Sequence, residues 1–551
     1  MKRFPAAYSL AFLCVAAWLI ANAMFLTRFP PMHADEAWLA SETRSILEER
    51  SFAATADFFH ITERASHAIR LLFHTLQAPF VRASWSLASV RALSLLCGLG
   101  VISFTLVSAK RLFVSHAAAF LAIAGLALDP LFISSSHLAR PEIALCAVLT
   151  GATALYLLRP SGKLRFDLLI GTVIGLSIGL HANSLLVAFG VGALYVVDLV
   201  FKPARRAAFK RLPVVVGTTA VWALLWIGAS RLLSPDFPRA YAEFGGKYGV
   251  SESLLVKLLR LPSFYGRLFD GITGTYYLPP LAVTLLLFAS GAAIGSVLIL
   301  LRTFTRRFVS AAAIARPLAM LAGVNIALLI IGKYSQPAVI LLLPGGYWLA
   351  AAVLDELSGI TRQGGKRAGP WKRERRFEIQ SFFRPVMTGA MAFFLVALLG
   401  TLTARAAAPW LPVRYDRYLE RIASHVPADA RVLAGTNTAF AFGHGMLHAI
   451  NDLEALDQSG ISFSEYVEGF DIEYILYPDE LDRVYAERPI WNDLYGNIAL
   501  YYPQMKQFLS EECEVIASYE EPIFAMRILL YQQRTTSKLT IYRVTASRQS
   551  R

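Results

Sequence analysis

Long apolar runs alternate with short polar stretches between residues 8 and 404, and this pattern dominates the sequence. Most of the runs are about 20 residues long, which is enough for an α-helix to cross a bilayer. We predict eleven such segments, at about residues 8–27, 88–109, 115–136, 141–158, 167–181, 184–201, 213–233, 276–301, 317–332, 338–357 and 385–404. The pattern therefore predicts a polytopic α-helical membrane protein with about 11 transmembrane helices.

Basic residues cluster in every second loop between these segments. Examples are Lys110 with Arg111, the group between residues 202 and 211, and the run at 362–384. Loops of this kind face the cytoplasm by the positive-inside rule. The N-terminus is then cytoplasmic, and the chain after Arg405 is extracytoplasmic. We expect a multi-pass protein of the plasma (inner) membrane.

The charge of the chain is divided unevenly. Residues 1–404 carry 39 Lys and Arg against 19 Asp and Glu, whereas residues 405–551 carry 14 against 20. Because the excess positive charge lies in the loops, where it determines topology, it does not indicate a nucleic-acid partner.

From about residue 412 the long apolar runs give way to short alternating elements. Strands are predicted at 432–434, 472–477, 514–518 and 539–544, and helices at 463–469 and 491–509. We therefore predict two domains, a transmembrane domain at 1–404 and a small extracytoplasmic α/β domain at 405–551.

The first external loop, residues 28–87, contains adjacent carboxylates at Asp35 and Glu36. Stretches 35–49 and 62–76 of this loop have helical spacing, which predicts amphipathic helices lying on the membrane surface. Two interpretations of the carboxylates remain open. Asp35 can cap a helix whose dipole Glu36 complements, or it can act as a general base on a hydroxyl group.

Other polar residues of the apolar region emerge on the same outer side. Arg and Lys can neutralise a phosphate there, and surface helices can gather substrates with lipid tails. Structural roles are also open: Arg140 as an interfacial anchor or a partner of Glu142, Tyr334 in the aromatic belt, and the imidazoles as turn contacts. These outer residues are His137, Arg140, Glu142, His181, Lys333 and Tyr334.

The order of several short motifs resembles the GT-C glycosyltransferases, which are membrane enzymes that use polyprenyl-phosphate sugars. The likeness covers about residues 8–404 and is greatest to the branch of protein O-mannosyltransferases and lipid A aminoarabinose transferases. The matching motifs are Asp35-Glu36, Ser89-Val90-Arg91-Ala92-Leu93-Ser94-Leu95-Leu96, Ala139-Arg140-Pro141-Glu142, and Lys333-Tyr334 followed by Leu343-Pro344.

The resemblance implies that Asp35 is the catalytic base, with support from Glu36. Because the leaving group is a lipid phosphate, Arg140, Lys333 and Tyr334 are the candidates for binding the donor phosphate. His137, Glu142 and His181 would support them. One departure from the family lies later in the first loop, where His60-Ile61-Thr62-Glu63 replaces the His-Pro-Pro-Leu-like element of many relatives.

The sequence thus predicts an extracytoplasmic hexosyl- or pentosyltransferase that moves a sugar from a polyprenyl phosphate to a lipid, glycan or protein acceptor. Membrane lipids surround it, and no cofactor is expected, although a divalent metal stays open. Two rivals remain. One is a transporter or flippase of lipid-linked saccharides, whose sites usually lie near the bilayer midplane. The other is a membrane scaffold whose C-terminal region binds a partner.

Overall fold

A computed structural model describes residues 6–62, 64–160, 163–201, 205–247, 249–271, 274–358, 376–527 and 537–545. Most of the basic run predicted at 362–384 lies outside these residues. In the described part, all eleven predicted apolar segments form helices. The helices up to residue 407 are α1 Ala6–Phe25, α2 Ala34–Glu49, α3 Leu71–Ala83, α4 Leu87–Leu112, α5 His116–Phe120 continued by a π-helical turn Leu121–Gly125, α6 Pro130–His137, α7 Pro141–Leu158, α8 Leu164–Leu176, α9 Ser184–Val200, α10 Arg205–Leu233, α11 Phe237–Lys247, α12 Leu254–Asp270, α13 Ala282–Phe304, α14 Phe308–Ile331, α15 Leu343–Leu357 and α16 Arg376–Ala407.

Fewer of these helices are long enough to span a bilayer than the apolar pattern predicted. Within the described residues, seven are long and apolar enough, or up to eight if a bent pair counts as one span. The predicted segments at 167–181 and 184–201 form α8 and α9, which have 13 and 17 residues. The structure thus shows a multi-helix membrane architecture, and the count of eleven spans stays a prediction.

The segment predicted as one span at 115–136 is broken in the middle. Its two halves, His116–Gly125 and Pro130–His137, meet at an angle of 47°. The carboxylate of Asp129 accepts hydrogen bonds from the N–H groups of Leu131 (2.8 Å) and Phe132 (3.2 Å), and so caps a new helix. Pro130 follows at the first helical position, where its missing N–H costs nothing. The predicted segment therefore forms two helices that meet at a bend, and the pair is the one that brings the count of spans to eight.

Close packing joins α9 to α14 in the helical domain. A Cβ atom added at Gly323 would collide with the carbonyl oxygen of Phe189 on α9. Small residues at a helix crossing permit this approach, as in other membrane bundles.

The C-terminal domain contains a five-stranded sheet in the order β2-β1-β3-β5-β4. β1 runs parallel to β2 and β3, whereas β5 runs antiparallel to β3 and β4. The strand β2 was not predicted, and the helix predicted at 491–509 is instead two 3-10 turns followed by α21. The elements are α17 Tyr415–Ala423, β1 Val432–Ala434, β2 Leu447–Ala449, α18 Leu456–Ser459, α19 Phe463–Gly469, β3 Tyr474–Pro478, α20 Glu480–Glu487, α21 Tyr502–Glu511, β4 Cys513–Glu520 and β5 Lys538–Val544.

The first loop packs against this domain. The carboxylate of Asp452 accepts hydrogen bonds from the backbone N–H groups of His60, Ile61 and Thr62, at 2.8, 3.1 and 2.8 Å. Arg44 on α2 donates to the carbonyl oxygen of Phe442. The predicted helix at 35–49 is confirmed as α2, but its contacts show that it is not simply a surface helix. The helix predicted at 62–76 is shifted, because α3 begins only at Leu71.

Candidate active site at the start of α2

His33, rather than Asp35, caps helix α2. The ring Nδ1 of His33 accepts a hydrogen bond from the backbone N–H of Asp35 at 3.0 Å, and the backbone N–H of His33 donates to the carboxylate of Glu36 at 2.9 Å. This pair of bonds is a capping box with His33 in the usual Ser or Thr position. Asp35 lies two residues after His33, inside the first turn of the helix, and its side chain is not the cap. The capping interpretation of Asp35 was therefore wrong.

Glu36 is fully buried and its carboxylate is occupied by protein donors. Arg91 on α4 donates to both of its oxygens, from Nη2 at 2.6 Å and from Nε at 2.8 Å. The backbone N–H of Ala139 adds a bond of 2.8 Å. Arg91 itself also donates to the carbonyl oxygens of Leu26 and Pro30, at 2.8 and 3.0 Å. Glu36 thus connects α2 to α4 and to the segment before α7, and these contacts hold the start of α2 in place.

Asp35 lies beside a cation and a phenol. Arg140 Nη1 and the hydroxyl of Tyr276 both donate to Oδ2 of Asp35, and Arg140 also contacts the Tyr276 oxygen. Burial opposes the charge on Asp35, but His33, Arg140 and the hydrogen bond from Tyr276 together lower the pKa of its carboxyl below the usual range. The carboxylate is therefore ionised at neutral pH. Its side chain keeps 24% of its surface exposed.

Arg140 is held from two sides. Its Nε and Nη2 atoms donate to the two oxygens of Glu142, at 3.1 and 3.0 Å, while Nη1 contacts Asp35 and Tyr276. Glu142 thus pairs with Arg140 in a bidentate bond that fixes the plane of the guanidinium. Two carboxylates around one guanidinium give this cluster, counted over these three charged groups, a net negative charge. A phosphate that binds Arg140 has to join or replace one of these partners.

Two further basic residues of the predicted set, Lys333 and His181, are electrostatically coupled to this cluster. Burial and the charge of Arg140 lower the pKa of Lys333, while Asp35 and Glu142 oppose the shift, and Arg70 adds to it. Burial lowers the pKa of His181 to about 4; Glu142 opposes this shift, whereas Arg140, Arg70 and Lys333 add to it. These mutual effects mean that the charged groups of the predicted set lie within electrostatic reach of one another.

His181 also has a local structural contact, since its Nδ1 accepts the backbone N–H of Asn183 at 3.1 Å. Arg70 was not among the predicted site residues. It pairs with Glu42 at 3.5 Å and has a left-handed backbone with φ of 102° at the start of α3. A non-glycine residue in this region is uncommon and points to constraint by its surroundings.

Two of the predicted residues have other contacts. The hydroxyl of Tyr334 donates to the carbonyl oxygen of Lys257 at 2.5 Å, and its ring stacks on Phe264 at 5.1 Å. These contacts fix the loop after α14, and a role of Tyr334 in binding phosphate stays a prediction. His137 is buried, and its Nδ1 bonds the carbonyl oxygen of Phe29 at 2.6 Å. It therefore supports the chain that leads into α2.

Tyr276 is a site residue that the sequence analysis missed. It lies 241 positions from Asp35 along the chain, immediately before the apolar run of α13. Burial raises its pKa, as does the neighbouring Asp35 carboxylate, so the hydroxyl stays protonated and donates. The only available signal was two adjacent tyrosines at the outer end of a predicted span, which the aromatic belt explains equally well.

Two clefts near the start of α2 share His33 and Thr275 in their linings. One, of about 430 Å³, lies against the helix ends near Leu131 and Leu278. The other, of about 640 Å³ and open to solvent, lies between the start of α2 and the C-terminal domain. The first is lined by residues including Pro31, His33, Leu131, Ser134, Tyr276 and Gln336. The second is lined by residues including His33, Thr275, Asn437, Asn451, Tyr495 and Arg527.

Among the residues that the structure describes, no group of three or more His, Cys, Asp or Glu side chains is arranged to hold a metal ion.

The chain is similar in structure to ArnT from Cupriavidus metallidurans. The likeness to ArnT bound to undecaprenyl phosphate has a TM-score of 0.48 at 13% identity and covers 86% of this chain and 96% of that one. For ArnT in the apo state the values are 0.48, 14%, 84% and 94%. ArnT is a lipid A aminoarabinose transferase of the GT-C superfamily, a branch that the sequence motifs resemble. No protein-family model and no curated protein sequence matches the chain. Similarity this distant assigns neither an activity nor a residue role.

Proposed function

We propose that this protein is a membrane glycosyltransferase that transfers a sugar from a polyprenyl phosphate to a hydroxyl group of a lipid, glycan or protein acceptor. The observation that supports this proposal is the ionised Asp35 carboxylate in direct contact with Arg140 and Tyr276, next to His33, whose side chain lines two clefts. The site combines a proton acceptor with a cation, as attack by a hydroxyl on a sugar phosphate requires.

In the proposed reaction, Asp35 accepts the proton of the acceptor hydroxyl. Arg140 and Tyr276 both contact Oδ2, so that Oδ1 is the oxygen that neither of them uses. The acceptor oxygen then forms a bond to the anomeric carbon of the sugar. The bond from that carbon to the phosphate oxygen breaks, and its electron pair leaves with the lipid phosphate. Arg140 and Lys333 stabilise the negative charge on this leaving group.

The cleft at the ends of the helices suits the donor. Three leucine and three proline side chains provide apolar surface in its lining, as a lipid tail close to its phosphate would require, and Ser134, Ser135 and Gln336 add polar atoms. We propose that the lipid is a polyprenyl phosphate, the donor class that the motif resemblance implies.

The cleft against the C-terminal domain suits the acceptor. Its lining includes the amides of Asn437 and Asn451, the hydroxyl of Thr436 and the guanidinium of Arg527. Arg527 Nη1 donates to Asn451 Oδ1 at 3.3 Å, which directs the cation along this wall. Amides, hydroxyls and a cation are groups that bind hydroxylated or anionic head groups. We therefore propose that the C-terminal domain completes the site by holding the acceptor.

The alternative is transport of the lipid-linked saccharide without chemistry. Transport sites usually lie near the midplane, on discontinuous helices, and the bend at Asp129 is such a discontinuity. However, the carboxylate of Asp129 is already occupied by Thr284 and Tyr347, at 2.7 and 2.8 Å. The charged cluster lies instead around Asp35, which favours transfer.

The test uses the purified full-length protein in proteoliposomes made with a cell-envelope lipid extract, which supplies donor and acceptor together. Mass spectrometry should show loss of the sugar-carrying polyprenyl phosphate and appearance of a glycosylated product. Movement of the intact lipid-linked sugar between leaflets, with no new product, would instead support a transporter.

A further inference from the structure

His33 has two ring nitrogens in very different environments. The side chain is 7% exposed, and its ring stacks on Tyr276 with a centroid distance of 3.7 Å and an angle of 10° between planes. Nδ1 accepts the backbone N–H of Asp35. Nε2 is buried and, within the part of the chain that the structure describes, it has no hydrogen-bond partner.

The bond at Nδ1 determines where the proton of His33 lies. A nitrogen that accepts an N–H carries no proton itself, so the neutral ring has its proton on Nε2. Nδ1 is 3.7 Å from Asp35 Oδ1, which is too long for a hydrogen bond to that oxygen. Burial lowers the pKa of His33 to about 3; Asp35 opposes this shift, and Arg527, Arg140 and Arg91 add to it. Nε2 is therefore a neutral N–H donor.

A buried donor without a partner is costly, because it loses its bond to water without replacement. A ligand that binds beside the ring can supply the missing acceptor. His33 lines both the donor cleft and the acceptor cleft, and it does so directly beside Asp35. The group that must contact both clefts during transfer is the sugar itself.

We propose that the Nε2–H group of His33 donates a hydrogen bond to an oxygen of the sugar and so positions its anomeric carbon next to Asp35. This inference rests on the proposed transferase function and adds a residue that recognises the transferred group. The oxygen is a hydroxyl or the ring oxygen, since a neutral N–H donor suits both. His33 thus has two functions, one for each ring nitrogen, because Nδ1 caps α2 while Nε2 binds the sugar.

Two substitutions separate these functions. The amide of Asn reaches about as far as Nδ1, so His33→Asn keeps a capping oxygen and removes the donor. The amide of Gln reaches about as far as Nε2, so His33→Gln keeps a donor and removes the cap. If the ring only caps the helix, Asn should be silent, because it is among the best N-cap residues, and Gln should be harmful.

The proposal expects the reverse order of activity. Sugar transfer by His33→Asn should fall about 10-fold or more, because the lost bond leaves a buried sugar oxygen unsatisfied. His33→Gln should keep transfer within about 3-fold of the parent while melting at a lower temperature than His33→Asn. Both variants are assayed well below the lower of their melting temperatures, so that both are folded.

Binding of undecaprenyl phosphate, a probe without a sugar, provides the control. Both variants should bind it as the parent does. Equal transfer by parent and His33→Asn, or weaker binding of the probe by His33→Asn, would overturn the assignment to the sugar. Absence of transfer by the parent would instead overturn the proposed function, so that the two failures are distinguishable.

Discussion

The substitution Asp35→Asn tests the catalytic assignment because it removes the proton acceptor and almost nothing else. Asn keeps an oxygen that can accept the bonds from Arg140 and Tyr276. The capping box of α2 is formed by His33 and Glu36, so it does not depend on residue 35. The change is therefore small in volume and in packing.

The expected magnitudes differ enough to separate catalysis from stability. Loss of a general base typically lowers a rate by about 10²- to 10⁴-fold, or about 2.7–5.5 kcal/mol in the barrier. The structural cost should be only about 1–2 kcal/mol. The reason is that Arg140 still has Glu142 at 3.0 and 3.1 Å and does not become an unpaired buried cation.

The assay compares Asp35→Asn with the parent in proteoliposomes, with the envelope lipid extract at saturation, after the melting temperatures have been measured. The matched control is Glu142→Gln, which also removes one carboxylate from Arg140 but leaves Asp35 in place. Glu142→Gln should be at least about 10-fold more active than Asp35→Asn. If Asp35→Asn keeps activity within a few-fold of the parent, or if both variants lose the same activity, Asp35 is not the base.

Four further predictions follow from the same structure. Lys333→Ala should mainly raise the donor concentration needed for half-maximal transfer, which corresponds to a loss of about 1.5–3 kcal/mol of binding free energy if the lysine bonds the phosphate. An unchanged half-maximal donor concentration would contradict this. Arg91→Ala should lower the melting temperature and the yield of folded protein by leaving the buried Glu36 carboxylate without its cation, whereas a normal melting temperature would show that this pair is dispensable. A reporter fused after Ser358 should be cytoplasmic and one after Val426 extracytoplasmic, and the same side for both would refute the topology. Burial lowers the pKa of His33 from 6.5 to about 3, so between these pH values the unfolded chain binds a proton that the folded protein does not. Lowering the pH from about 7 to about 5 should therefore lower the melting temperature. The decrease should be smaller in His33→Asn, which lacks this imidazole.

Local pattern determined most of the secondary structure of this protein. The helix at 141–158 and the elements at 432–434 and 463–469 were predicted with the bounds that the structure shows. Apolar periodicity and helix or strand propensity act over a few neighbouring residues, and a single sequence contains that information in full. The charges of the loops also predict that Asp35, Arg140 and Lys333 lie on one side of the membrane, and the reporter fusions test this topology.

Contacts between distant segments decided what each site residue does. Tyr276 reaches Asp35 only because the loop before α13 folds over the start of α2. Lys333 and Tyr334 are neighbours in sequence, but Lys333 responds to the charges around Asp35 while the Tyr334 hydroxyl bonds Lys257. Side-chain direction and the competition among partners for a carboxylate depend on the assembled structure. The sequence allows a capping role for Asp35, but in the structure His33 is the N-cap residue. The carboxylate of Asp35 instead accepts a hydrogen bond from Arg140, 105 positions away.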